Sequence, residues 1–323
     1  MVSLAGILFG ILLLICGGTA LVHGASQVAA RHGVSAMVVG LTVVAFGTSM
    51  PELVVNVIGG LRGETGLAFG NIIGSNIANL ALILGVAAIL RPIQLDGLVV
   101  QREVPLLVLG TAVLTVLALD SSFEGHPNAI GRADSLILLL VFCIFAYITA
   151  FDIIRSRRQD ALMGNIKSNP LIITKPVTGF AGLYVFFGIV LLYVGGEMTV
   201  RFSVRLADGF AWSSTQVGLF IVAVGTSMPE MVTSIIAALR RESDLAVGNL
   251  VGSNIFNTLL ILPVTGFVSV IAIPARGVID VVFSLALAAA LMPIFVLGKA
   301  RLGRASGVLI LTSYAAWVVF RVG

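Results

Sequence analysis

Charge is what this chain has least of. Asp, Glu, Lys and Arg make up 11% of its 323 residues, against roughly 25% in a soluble domain. Hydrophobic residues make up 58%. The apolar runs are long enough for membrane-spanning helices, and they leave no room for a soluble catalytic domain. Cysteine is nearly absent. Cys16 and Cys143 sit in apolar runs with no second Cys or His at metal-ligand spacing, so both read as small buried hydrophobes. His23, His32 and His126 fall at span ends or in loops and read as surface residues. No P-loop signature is present, so no ATP motif is visible. The start, MVSLAGILFGILLL, has no basic residue ahead of its apolar run. A cleaved signal peptide wants one, so this stretch reads as a first membrane helix. The net charge of +4 is modest, and its basic residues lie mainly in loops. They report topology and not nucleic-acid binding.

What is present is a repeat. Gly40 to Leu84 contains GTSMPE (47–52) and GNIIGSNIAN (70–79). Gly218 to Leu262 contains GTSMPE (225–230) and GNLVGSNIFN (248–257). The offset is 230 − 52 = 178 throughout, no gap is needed, and 27 of 45 aligned positions are identical. Such self-similarity decides the architecture. Duplication alone does not explain why the polar part of the repeat persists in so apolar a chain.

Hydropathy predicts ten spans, at about 2–23, 36–61, 67–90, 98–119, 133–154, 174–207, 214–239, 245–270, 278–297 and 304–321. The expected fold class is an all-α integral membrane protein, with ten transmembrane helices in two inverted five-helix repeats. The first repeat is 1–155, a polar cytoplasmic linker is 156–173, and the second repeat is 174–323. A copy that begins after five crossings enters from the opposite side, hence the inversion. Inverted repeats mark secondary transporters, whose sites lie where the repeats meet near the bilayer midplane. Thirteen of the 19 Lys and Arg residues fall on the linker side, which places the linker in the cytoplasm and both termini outside, as a multi-pass protein of the cell (inner) membrane.

Glu52 and Glu230 fall inside spans. A carboxylate there costs at least about 2.5–3.5 kcal/mol and defaults to a functional reading; the bland reading is a protonated Glu in a structural hydrogen bond, needed twice. Thr48 and Ser49 share a helix face with Glu52, and Thr226 and Ser227 with Glu230. Ser75 with Asn79, and Ser253 with Asn257, form further faces. Nearly all these groups offer oxygen, and hard cations such as Ca²⁺ take six to eight oxygens. Two carboxylates balance one divalent cation, which favours Ca²⁺ over one Na⁺. Pro51 and Pro229 each free a helix carbonyl, of Gly47 and Gly225, and such groups serve as ion ligands in broken transporter helices. Gly70 with Gly74, and Gly248 with Gly252, read as close-packing faces. Asn71, Asn249, Asn76 and Asn254 read as ligands or as partners for freed backbone, the backbone role being favoured. Glu197 reads as a partner of Arg201 four residues on. Asp96, Glu124, Glu242 and Asp244 read as solvated loop charges.

These motifs resemble those of the cation/Ca²⁺ exchanger superfamily, in particular its prokaryotic Na⁺/Ca²⁺ exchanger-like members. The resemblance implies a core of the second, third, seventh and eighth helices, with long first and sixth helices that slide past it. It implies that Glu52 and Glu230 are the main Ca²⁺ ligands, shared with Na⁺, and that Thr48 and Thr226 bind Ca²⁺ through their carbonyls. Ser49, Ser227, Ser75 and Ser253, with the carbonyls of Ala45 and Ala223, would bind Na⁺. Asn79 and Asn257 would line the central position. Several Na⁺/Ca²⁺ exchangers carry Asp where this chain has Asn257, which leaves the driving ion open.

The expected function is therefore antiport of Ca²⁺ against Na⁺ by alternating access, with Ca²⁺ extruded from the cytoplasm. Ca²⁺/H⁺ exchange is the alternative, and a cation channel is the remote one. An enzyme is not expected, because no nucleophile, metal triad or cofactor loop accompanies the two Glu residues. No cofactor is expected. The expected partners are Ca²⁺ and Na⁺, with H⁺ under the alternative, and the lipid bilayer, with no nucleic acid; the sequence leaves the oligomeric state open, a monomer being one reading.

Overall fold

The computed structural model describes residues 2–32, 34–94, 102–119, 127–162, 180–207, 223–298 and 300–322. Apart from two strand pairs of two residues each, the described chain is helical. The first half contains α1 (Val2–His32), α2 (Ala36–Val39), a π-helical turn (Gly40–Val44), α3 (Ala45–Thr48) and α4 (Met50–Leu61). Then come α5 (Thr65–Ile77), a second π turn (Ala78–Ile83), α6 (Leu84–Leu90), β1 (Ile93–Gln94), α7 (Val104–Leu117), β2 (Ala129–Ile130) and α8 (Arg132–Leu162). The second half contains α9 (Ala181–Ala207), α10 (Ala223–Thr226), α11 (Met228–Leu239), α12 (Ser243–Phe256), a third π turn (Asn257–Ile261) and α13 (Leu262–Val268). It closes with β3 (Ile271–Ala272), α14 (Gly277–Leu297), β4 (Arg301–Leu302) and α15 (Arg304–Val322).

Six helices among the described residues are long and apolar enough to cross a membrane, and seven if α2 to α4, bent by 43° at Ser49, is one span. Burial separates centre from periphery. The span Thr65–Leu90 is 83% buried and Ser243–Val268 is 94% buried, whereas Arg132–Phe151 is 22% and Ala181–Met198 is 33% buried. The two motif-bearing spans are thus the core, and α8 and α9 present apolar side chains outward, as lipid-facing helices do.

Close approach fixes the packing. A Cβ on Gly252 would stand 2.6 Å from the Leu41 carbonyl oxygen, and one on Gly248 2.7 Å from that of Met37. α12 therefore lies directly on the α2–α3 backbone, as expected for small residues spaced by four. Residues 208–222 lie outside the described residues. α1 and α9 pack against each other along their length, and a Cβ on Gly188 would stand 2.7 Å from the Leu21 amide nitrogen. Two antiparallel pairs, β1 with β4 and β2 with β3, each join the first half to the second.

Three expectations change. α1 does not end at residue 23 but continues to His32, because the polar stretch after it is rich in helix formers and holds no proline. α8 likewise runs on to Leu162, past the expected end at 154. Cys16 and Cys143 are exposed and not buried; they lie on helix faces directed away from the protein core.

Candidate cation site

Two helix breaks build the site. The chain leaves helical geometry at Ser49 (φ −85°, ψ 5°) and at Ser227 (φ −81°, ψ 6°), with proline two residues later. Proline has no N–H to close on the carbonyl four residues back, so each helix restarts. Glu52 and Glu230 occupy the first turn of the restarted helices α4 and α11. Both are 1% exposed. A helix N-terminus favours a negative side chain, which offsets part of the cost of burying each carboxylate.

The two halves then interlock reciprocally. Ser49 donates its hydroxyl to Glu230 Oε1 at 2.8 Å, and Ser227 donates to Glu52 Oε1 at 3.2 Å. Thr48 Oγ1 lies 3.1 Å from Asn249 Oδ1, and Thr226 Oγ1 lies 3.0 Å from Asn71 Oδ1. Each polar group just before a break thus reaches the other half. Ser253 donates to Glu230 Oε1 at 3.2 Å, within its own half. Ser75 instead donates across to the Ala223 carbonyl at 3.3 Å. Its bond thus goes to the opposite backbone and not to Glu52. The Ala45 carbonyl accepts from the Ser49 amide at 3.0 Å, and the Ala223 carbonyl from the Ser227 amide at 3.0 Å.

The asparagines hold the frame. Asn249 Nδ2 donates to Ser234 Oγ at 2.9 Å and faces the Glu230 carbonyl at 3.5 Å. Asn76 Nδ2 donates to Thr258 Oγ1 at 2.9 Å, and Asn254 Nδ2 to the Asn76 carbonyl at 3.0 Å. Asn79 Nδ2 donates to Asn254 Oδ1 at 2.9 Å. Asn79 and Asn257 both sit in π turns, a geometry frequent at functional sites.

The donor set fits a hard cation. Glu52 Oε2, Glu230 Oε2, Asn79 Oδ1 and Asn257 Oδ1 are buried acceptors without a hydrogen-bond partner. Each such group costs about 1–3 kcal/mol unpaired, more when charged. A bound cation is the kind of partner such oxygens accept. Among the described residues no three His, Cys, Asp or Glu side chains cluster, so the ligands available are two carboxylates and neutral oxygens, which suit Ca²⁺ or Na⁺ and not a soft metal.

Several residues were not singled out from sequence. Asn56, fully buried, donates to the Glu52 carbonyl at 2.6 Å. It and Ser234 lie four residues beyond Glu52 and Glu230, one turn along the same face, a signal the repeat already contained. Thr258 is the third. His23 is half-buried, 2.7 Å from Gln27 Nε2 and edge-on to Tyr184, not a plain surface residue. Glu242 is not a free loop charge either, since Ser26 hydrogen-bonds to it. Glu197 is exposed; the side chain of Arg201, its expected partner, lies outside the described residues.

Known proteins resemble this chain in sequence and fold. Residues 2–151 and 180–323 match the family described as sodium/calcium exchanger protein. The putative antiporter CaxA of Alkalimonas amylolytica is 34% identical over 315 residues, 96% of each chain. The sodium/calcium exchanger MaX1 of Methanosarcina acetivorans is 30% identical over 337 residues, covering 97% of this chain and 96% of that one. A solved structure of the sodium-calcium exchanger NCX_Mj, soaked with Na⁺ and Ca²⁺, superposes with a TM-score of 0.81 at 27% identity, over 99% of this chain and 98% of that one. The match spans both broken helices and all four Gly-Asn and Gly-Thr motifs, and the chain belongs to the sodium/calcium exchanger family.

Proposed function

We propose that this protein exchanges Ca²⁺ for Na⁺ across a membrane at one site shared by the two halves. The observation that carries the reading is the crossed pair of hydrogen bonds, Ser49 to Glu230 and Ser227 to Glu52, which leaves one oxygen of each carboxylate unpartnered. Glu52 and Glu230 hold Ca²⁺, with the Thr48 and Thr226 carbonyls and the Asn79 and Asn257 side-chain oxygens beside them. Ser49, Ser227, Ser75 and Ser253, with the carbonyls of Ala45 and Ala223, take Na⁺ when Ca²⁺ leaves. Shared ligands enforce exchange, because two bare carboxylates in a low-dielectric interior are too costly to carry across empty.

In this reading the chain crosses ten times. Added to the six longer spans are the shorter apolar helix Val104–Leu117, the broken helices α2–α4 and α10–α11 (the latter ending in Met228–Leu239), and α15. Residues 1–155 and 174–323 are inverted copies joined by a cytoplasmic linker, 156–173, and both termini lie outside. The monomer contains the whole site. Ca²⁺ leaves the cytoplasm, driven by Na⁺ entering.

Proton coupling is the second reading. One observation favours it: position 257 is Asn, so the site holds two carboxylates, each of which can carry a proton on the return stroke. Vesicles holding the purified protein decide between them. Ca²⁺ uptake that requires internal Na⁺ supports Na⁺ coupling. Uptake driven by an outward proton gradient alone moves the function to Ca²⁺/H⁺ exchange.

A further inference from the structure

Away from the cation site, the last residues of α6 and α11 meet the start of α15. A cavity of about 450 Å³ opens there, lined by Leu90, Arg91, Pro92, Leu239, Arg301 and Arg304. Half of that lining is arginine, in a chain poor in charge. Two of the three hold backbone. Arg91 Nη1 donates to the Leu239 carbonyl at 2.9 Å, and Arg304 Nε to the Ile89 carbonyl at 3.2 Å. These bonds serve the open carbonyls at the C-terminal ends of α11 and α6. They occupy one donor of each guanidinium, which has five. The Arg301 side chain has no hydrogen-bond or ion-pair partner among the described residues, and none of the three arginines is paired there with Asp or Glu. Arg240 and Arg241, both exposed, follow Leu239 directly, with Glu242 and Asp244 after them.

The apolar part of the lining says where this charge sits. Leu90 and Leu239 are 50% and 51% exposed. At the end of a membrane-spanning bundle such leucines meet acyl chains, with the guanidinium groups at headgroup depth. We propose that the cavity binds a phosphate anion, presented by the headgroup of an acidic phospholipid whose chains lie along Leu90 and Leu239. Arginine matches phosphate oxygens with paired N–H donors, which lysine does not. Because α6 belongs to the first half and α11 and α15 to the second, a bound headgroup ties the two halves together at this end.

The test is native mass spectrometry of the full-length protein in a neutral detergent, titrated with phosphatidylglycerol, phosphatidylcholine or inorganic phosphate. The wild type is expected to hold one phosphatidylglycerol at least about fivefold more tightly than phosphatidylcholine, the size of effect one basic residue gives at a membrane surface. Arg301→Gln should lower that preference by about fivefold, and Arg301→Lys should lower it less. The Arg301 side chain makes no backbone bond, so the variant keeps the helix ends intact; a monodisperse elution profile and unchanged helical circular dichroism check this. Displacement of the lipid by millimolar inorganic phosphate would keep the site and make free phosphate its ligand. Equal affinity for the two lipids with no phosphate binding, or a preference untouched by Arg301→Gln, would overturn the proposal.

Discussion

At the scale of the residue, the central feature is two buried carboxylates, each with one oxygen that lacks a hydrogen-bond partner. Glu52→Gln and Glu230→Gln keep shape and remove charge. Each is expected to lower Ca²⁺ uptake by about 100-fold or more while leaving the purified protein folded, since charge supplies most of the affinity for a hard divalent ion. Uptake rates in vesicles, with circular dichroism as the control, check this. Ser49→Ala removes the hydroxyl that meets Glu230 from the opposite half. It is expected to weaken ion binding by about tenfold, the usual cost of losing a group that orients a ligand. Asn257→Asp adds a third carboxylate to the site and is expected to tighten Ca²⁺ binding by about tenfold at alkaline pH, measured by calorimetry. The sequence located all these residues because the repeat lists its polar positions twice. It did not show that Ser49 serves Glu230 and not Glu52. Periodicity places side chains on a face of one helix and is silent about which helix that face meets.

At the scale of the element, the breaks at Ser49 and Ser227 were readable from Pro51 and Pro229. The π turns that carry Asn79 and Asn257 were not, because neither position holds a residue that a regular helix would refuse. The length of α1 was missed for a related reason. Hydropathy falls after residue 23, yet nothing from Gly24 to Arg31 stops a helix. The exposure of Cys16 and Cys143 was hidden because lipid is as apolar as a protein core, so an apolar run does not say which face looks outward. Packing between elements gives a sharp test. Gly252→Ala places a Cβ 2.6 Å from the Leu41 carbonyl. It is expected to cost about 1–3 kcal/mol, as overpacking does, and to lower the unfolding temperature measured by light scattering or circular dichroism. Gly63→Ala has open space around it but sits at φ +76°, so its cost is that of left-handed backbone alone, about 1 kcal/mol.

At the scale of the molecule, the proposed ten spans rest on hydropathy, their proposed inverted arrangement on the odd number of crossings in each repeat, and the proposed orientation on the excess of Lys and Arg on the linker side. Both native cysteines lie in apolar helices, so single new cysteines can report topology. Arg62→Cys should react with a membrane-impermeant thiol reagent from outside intact cells, and Arg241→Cys only after permeabilisation. The reverse pattern would invert the orientation without touching the site. Above all, Ca²⁺ and Na⁺ are proposed to compete for one buried site, made by Glu52 and Glu230 together. Equilibrium binding of radioactive Ca²⁺ to the purified protein, with Na⁺ as competitor, tests this most directly. Saturable binding of one Ca²⁺ per chain, displaced by Na⁺ and lost in Glu52→Gln, is the expected result. Ca²⁺ binding that survives Glu52→Gln, or that no concentration of Na⁺ displaces, would contradict it.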